Sequence, residues 1–264
     1  MIMQVDVYSI NGSVMSKAEL PAVFQKGFHE HLVRRALLAE QSLRYQPQGH
    51  YVLAGMQTTA AYIGRMNAYR TGRHMGIAIR PRQKLGGGAM GDVRRIPSSV
   101  KGKRAHPHMV NKKIVEHINA KEYRAAIESA ISGALSSQLK ERIGRDVPIV
   151  VEDKIEGIAK TKELVNVLKA LGLGSDIEKS HRPKLRKGIT ASKSRIRHFR
   201  KSVLIVVNDP SRLSKAGANI PGIDVCGVND LKVEKLAPGA LPRPSVWSEG
   251  ALKAVEGAIG KMRL

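Results

Sequence analysis

The chain has 264 residues, a formal net charge of +23, one cysteine and 4% aromatic residues. That length allows one large or two small domains with enough sequence to bury a core. A single cysteine, Cys226, excludes an intrachain disulfide framework and a cysteine-based zinc site, and so few aromatics argue against a nucleic-acid surface built mainly on stacking platforms.

No run approaches the roughly 20 apolar residues of a membrane span. Asp6 and Asn11 stand where a signal peptide would be apolar, so a cytoplasmic location is expected. The charge is concentrated. Between Arg44 and Lys113 there are 14 Lys and Arg against one acid, Asp92, and between Lys179 and Lys201 there are 10 against none. These excesses of 13 and 10 account for the whole +23, leaving the rest of the chain neutral. Cationic segments held this way on a neutral body, internal rather than terminal, suit a polyanionic partner better than a solubility tail.

In chain order, Gln4 to Tyr8 alternates as a strand and ends at the turn signal Asn11-Gly12. A helix is expected from Leu20-Pro21 onward, with Val23, Phe24, Phe28, Leu32, Ala36 and Ala39 on one face. From Arg44 to Lys113 no apolar period lasts beyond a turn, the pattern of a segment that orders on a partner. Asn119 and Glu122 form a capping pair for a helix whose face runs Tyr123, Ile127, Ile131, Leu135 and Leu139. Val147 to Val151 reads as a buried strand, and Thr161 to Leu171 as a helix closed by Gly172 and Gly174. After the second basic segment, Val203 to Val207 is a β-branched run typical of a strand covered on both faces. Ser211 to Ala216 (helix), Ile223 to Cys226 (strand), Asp230 to Leu236 (helix), Ser245 to Trp247 (strand) and Ser248 to Ile259 (helix) complete the series.

This alternation predicts a layered α/β domain with a mostly parallel sheet. The body is expected from residues 1–43 and 114–264, with 44–113 as a long extended basic arm inserted between two helices and 179–201 as a second basic loop. The residues expected to meet the phosphates of folded RNA or duplex are Arg44, Arg65, Arg70, Arg73, Arg80, Arg82, Lys84, Arg94, Arg95, Lys101, Lys103, Arg104, Lys112 and Lys113 in the arm, and Arg182, Lys184, Arg186, Lys187, Lys193, Arg195, Arg197, Arg200 and Lys201 in the loop. Arg outnumbers Lys in the arm, and guanidinium forks suit bidentate phosphate contact.

Competing chemistries are weaker. Gly86-Gly87-Gly88-Ala89-Met90-Gly91 fits G-x-G-x-x-G but lacks the acid about 20 residues on that a dinucleotide site needs. The histidines of His106-Pro107-His108 with His117, and of His29-Glu30-His31, match no zinc spacing, and lysines and arginines crowd the first group. Glu152, Asp153 and Glu156 follow a strand end but are interleaved with Lys154, Lys160 and Lys162, so capping and ion pairing explain them, and no enzymatic role is expected. Cys226 reads as a small buried apolar residue.

Several blocks resemble one family in colinear order: Val5 to Gly12 with Leu20-Pro21 and Val23-Phe24; Ile96-Pro97, Val100-Lys101-Gly102 and Ala105-His106-Pro107; Val150 to Lys154 with Glu156-Gly157 and Thr161-Lys162-Glu163; Asn219 to Ile223; Leu236 to Gly239; and Trp247-Ser248-Glu249. The chain is similar along nearly its whole length to ribosomal protein four of the large subunit, in its archaeal and eukaryotic form. The resemblance implies a Rossmann-like three-layer domain without cofactor, a metal-free role in binding ribosomal RNA early in subunit assembly, and neighbouring ribosomal proteins as partners. It also implies an arm whose tip, Arg70, Gly72, Arg73 and His74, forms part of the polypeptide exit tunnel and meets the nascent chain. No membrane and no homo-oligomer is expected. The alternatives are a nucleotide-dependent α/β enzyme using the Gly86 to Gly91 loop, or a regulatory RNA binder outside the ribosome.

Overall fold

A computed structural model describes residues 3–62, 64, 66–67, 71, 73–93, 96–106, 108–188, 191, 196–260 and 262. The chain divides into two compact units, Met1–Arg44 with Val115–Leu264, and Tyr45–Ile114.

The first unit opens with strand β1 (Gln4–Tyr8), turns at Asn11-Gly12, and returns as β2 (Val14–Glu19). A 3-10 turn (Ala22–Gln25) buries Val23 and Phe24 before helix α1 (Glu30–Ser42). The expected single helix from residue 20 is therefore two pieces. Periodicity could not see the break, because both pieces deliver apolar side chains to the same core. The second unit carries β3 (Ala60–Ala61), β4 (Arg82–Lys84) and β5 (Met90–Val93).

Helix α2 (Ala120–Ser132) starts at Asn119, but the Asn119 side chain makes no capping bond. Glu122 instead accepts from Arg35 Nη1 at 2.6 Å, tying α2 to α1. The expected single face to Leu139 breaks at a 3-10 turn (Gly133–Leu135), and Leu139 belongs to α3 (Ser137–Ile143). β6 (Ile149–Val151) follows, then α4 (Thr161–Ala170) and α5 (Gly174–His181). Gly174 thus opens a helix rather than closing one. Next come the short strands β7 (Lys184–Leu185) and β8 (Arg197–His198), then β9 (Leu204–Val207), α6 (Ser211–Gly217), β10 (Asp224–Gly227), α7 (Val233–Leu236), β11 (Ser245–Ser248) and α8 (Glu249–Ile259).

Six strands form one sheet in the order β10-β9-β11-β6-β1-β2. Every pairing is parallel except β1 with β2 at the edge. Strands β6, β9 and β11 are buried throughout, as continuous apolar runs covered on both faces must be. Alternate residues feed two cores. Val150, Leu204, Val206 and Trp247 join the helical residues Val33, Ile127 and Val255, while Ile149, Ile205, Val207 and Val246 join Leu164, Leu168 and Leu213. Phe24 meets Trp247 edge-on, with ring centroids 5.4 Å apart. β2 is exposed along most of its length and carries Lys17 and Glu19, charges that discourage edge-to-edge pairing.

Neither core includes a described residue of 45–114. The ends of that segment are held by the body itself: Glu116 N donates to Ser42 Oγ at 2.9 Å, and Arg44 forms a bidentate pair with Glu234.

Candidate nucleic-acid interface

The second basic segment begins inside α5, where Lys179 lies in the last turn. It then forms a narrow hairpin in which Lys184 faces His198 and Leu185 faces Arg197, with Arg186 N donating to Ile196 O at 2.8 Å. Arg182, Lys184, Lys187, Arg197, Arg200 and Lys201 are exposed, and Arg186 is partly buried. Lys193 and Arg195 lie outside the described residues.

The return of the chain into β9 is tightly fixed. Ser202 N donates to Gly222 O at 2.8 Å. Gly222 has φ +84°, and a Cβ there would sit 2.4 Å from the Arg200 carbonyl and 2.8 Å from Ser180 Cβ, so glycine is required. Lys201 Nζ lies 2.7 and 2.9 Å from the Asp224 carboxylate, which also accepts from Arg243 Nη1 at 2.7 Å. Burial works against the charge on Asp224, but the Lys201 hydrogen bond and the Arg243 charge outweigh it and hold its pKa below the usual carboxylate range. Arg243 is buried and donates Nε to Lys235 O at 2.6 Å. Arg142 pairs with the buried Asp176. Arg142, Lys201 and Arg243, with Lys179, Arg182, Lys184 and Arg200, wall a cavity of about 810 Å³ between the hairpin and the 238–244 turn, which Phe199 and Leu241 also line.

The second unit holds a small antiparallel sheet, β3-β4-β5, whose middle strand carries Arg82 and Lys84, while its other described cations lie on loops. Arg80 Nη1 donates to Ser98 O at 3.0 Å, Arg82 Nη2 to Ala78 O at 3.2 Å, and Lys103 Nζ to Gln57 O at 2.8 Å, so these side chains brace their own loops. Lys84, Lys101, Arg104, Lys112 and Lys113 are exposed. Arg73 is partly buried and leaves Nε without a hydrogen-bond partner, and His74 is exposed with φ 58°. Arg65, Arg70, Gly72, Arg94 and Arg95 lie outside the described residues, as does Pro107.

The glycine run is a hairpin end. A 3-10 turn at Gly86–Gly88 joins antiparallel β4 and β5, Leu85 N donates to Ala89 O at 3.2 Å, and Gly87 takes φ +69°. A dinucleotide loop runs from a strand into a helix whose N-terminus receives the pyrophosphate. That geometry is not what this run adopts.

Nucleotide-binding parallel sheets use the crevice at the strands' C-terminal ends. Here that edge is closed by the protein's own carboxylates. Glu152 accepts from Ile10 N at 3.1 Å, which with Lys154 holds its pKa low. Asp153 accepts from Gly250 N at 2.8 Å at the start of α8. Glu156 accepts from Asn208 N at 2.8 Å and from Ser248 Oγ at 3.0 Å. Internal anions thus take the N–H groups that a phosphate would need. No cluster of three or more metal-ligating side chains occurs among the described residues. Cys226 is buried at a strand of the core, and burial pushes its thiol up to about 11, which leaves it unreactive.

Residues 18–258 match the sequence profile of the Ribosomal protein L4/L1 family. The chain belongs to that family. Family relatives named large ribosomal subunit protein uL4 include one from Methanococcoides burtonii, 38% identical over 258 residues, covering 96% of this chain and 97% of the relative. Those from Methanospirillum hungatei and Methanoregula boonei are each 38% identical over 261 residues, covering 97% of this chain and 99% and 100% of theirs. For this member of the L4/L1 family, the residues expected to meet RNA include Arg182, Lys184, Arg200 and Lys201 of the cavity lining but not Arg142, Lys179, Phe199, Leu241 or Arg243. Arg142 and Arg243 lie far from the basic run and reach it only through the fold, and Phe199 was masked by the charges around it.

Proposed function

We propose that this protein is a structural constituent of the large ribosomal subunit that binds ribosomal RNA early in assembly, in the cytoplasm, and does no catalysis. The carrying observation is the full-length match to relatives named for that subunit, on a chain whose whole net charge lies in two internal segments. The body is read as a Rossmann-like three-layer scaffold, and residues 44–113 as an extended arm ordered against phosphates. Cores that draw on no described residue of 45–114 support that division, because the arm then gives up chain entropy only when RNA compensates it. The tip around Arg70, Gly72, Arg73 and His74 is assigned to the wall of the polypeptide exit tunnel, beside neighbouring ribosomal proteins and the passing nascent chain.

The test is co-sedimentation of the tagged chain with large subunits through a high-salt wash, followed by crosslinking from residues 73–93. Retention with crosslinks to both RNA and emerging peptide is the expected result. Release of the chain by the wash would contradict an interlocked arm.

A further inference from the structure

We propose that the cavity between the second basic segment and the 238–244 turn receives a single unpaired nucleotide of RNA, its phosphates on the surrounding cations and its base against Phe199 and Leu241. The proposal rests on the RNA-binding reading above and adds the form of RNA recognised. The cavity, about 810 Å³, falls in the roughly 300–1,000 Å³ range of small-ligand sites. Seven Lys and Arg line it and no acid does.

Three of those cations are paired from behind with two acids: Arg142 with Asp176, and Lys201 and Arg243 sharing Asp224. These contacts fix the walls. The other four, Lys179, Arg182, Lys184 and Arg200, have no ion pair among the described residues and, with the one charge that Asp224 leaves unbalanced, supply the net positive field. Arg243 also lines the cavity, with its side chain 4% exposed and its Nε and Nη1 held by Lys235 O and Asp224, so that wall is rigid.

Phe199 separates a nucleotide site from a simple phosphate clamp. The chain has three phenylalanines. Phe24 is buried in the core and Phe28 packs against it, whereas Phe199 is 43% exposed among cations, facing a cavity shared with Leu241, which is 61% exposed. A phosphate needs no apolar wall, but a base does. A duplex cannot enter a concavity of this size, whereas a bulged nucleotide can be splayed into it.

The experiment uses the full chain and two RNA hairpins, identical except for one bulged nucleotide. Wild type should bind the bulged hairpin roughly 5- to 150-fold more tightly, the range of one base stacked on an aromatic side chain. Phe199→Ala should erase that preference, bringing the affinity for the bulged hairpin down to that for the unbulged one, and Phe199→Tyr should keep it. A 4-thiouridine at the bulge should crosslink to residues 196–201. No preference in wild type, or a preference that survives Phe199→Ala, would overturn the nucleotide site while leaving the RNA-binding reading intact, since both hairpins would still bind. Failure of both hairpins to bind would remove both.

Discussion

Glu40 is the most consequential single side chain in the body. It lies on α1, 5% exposed, and its carboxylate accepts from Tyr123 Oη at 2.5 Å, Val233 N at 2.8 Å and Glu234 N at 2.8 Å. One group therefore ties α1 to α2 and to the start of α7, next to the point where the inserted segment leaves the body. Burial and the Glu40 bond together push the Tyr123 phenol well above its ordinary value, so it stays protonated and donating at any working pH. Hydrogen bonds to a charged acceptor contribute about 1.5–3 kcal/mol each, and those sharing one acceptor add incompletely. Glu40→Ala leaves three donors without their acceptor and should cost about 3–5 kcal/mol. For a body of this size each kcal/mol moves Tm by roughly 2–4 °C, so the melt should fall by about 6–20 °C. Tyr123→Phe removes one of the three bonds and should lower Tm by only about a third as much. Differential scanning calorimetry of the full-length variants reads both. A Glu40→Ala melt within 2 °C of wild type would refute the reasoning, and so would a Tyr123→Phe loss equal to that of Glu40→Ala.

Gly222→Ala forces a side chain into a left-handed backbone against the Arg200 carbonyl, and should cost about 2 kcal/mol or more. Urea unfolding, together with weakened preference for the bulged hairpin, checks it. Asp224 has a depressed folded pKa, so its contribution is present above the unfolded value of about 3.9 and is lost as pH falls through the folded value. The stability gap between wild type and Asp224→Asn should be constant above about pH 5 and close below pH 4 in urea melts across that range. Replacing residues 45–114 by a short linker should leave a soluble body with one cooperative transition, because the flanking ends already meet through Ser42 and Glu116. A broad, non-cooperative melt would contradict the division. Titration with NAD, ATP or GTP should show no saturable binding at micromolar levels, and saturation would reopen the crevice closed by Asp153 and Glu156.

The sheet was legible because its strands carry the signal that burial on both faces demands: Val203 to Val207 and Val147 to Val151 are apolar without alternation. β2 was not. Val-Met-Ser-Lys-Ala-Glu is an edge strand open to solvent, held by backbone bonds to β1 rather than by a patterned face. The same holds for β3 to β5, where Arg82, Gln83 and Lys84 pair through the backbone and no apolar period exists to be read. Asn119 and Glu122 had capping spacing, but Arg35, 87 residues away in sequence, claimed the carboxylate. In the candidate site, the clustering of Lys and Arg along the sequence was visible. The cavity was not, because Arg142 and Arg243 join it only after α3, β10 and the 238–244 turn have come together.

The most direct test of the central claim, that the two cationic segments exist to engage RNA phosphates, is the affinity of the isolated chain for large-subunit ribosomal RNA as a function of salt. With about six to ten phosphates neutralised, binding should weaken roughly a thousandfold or more between 50 and 200 mM salt. An affinity that stays flat across that range would show that the charge of Arg44 to Lys113 and Lys179 to Lys201 is not what holds the RNA.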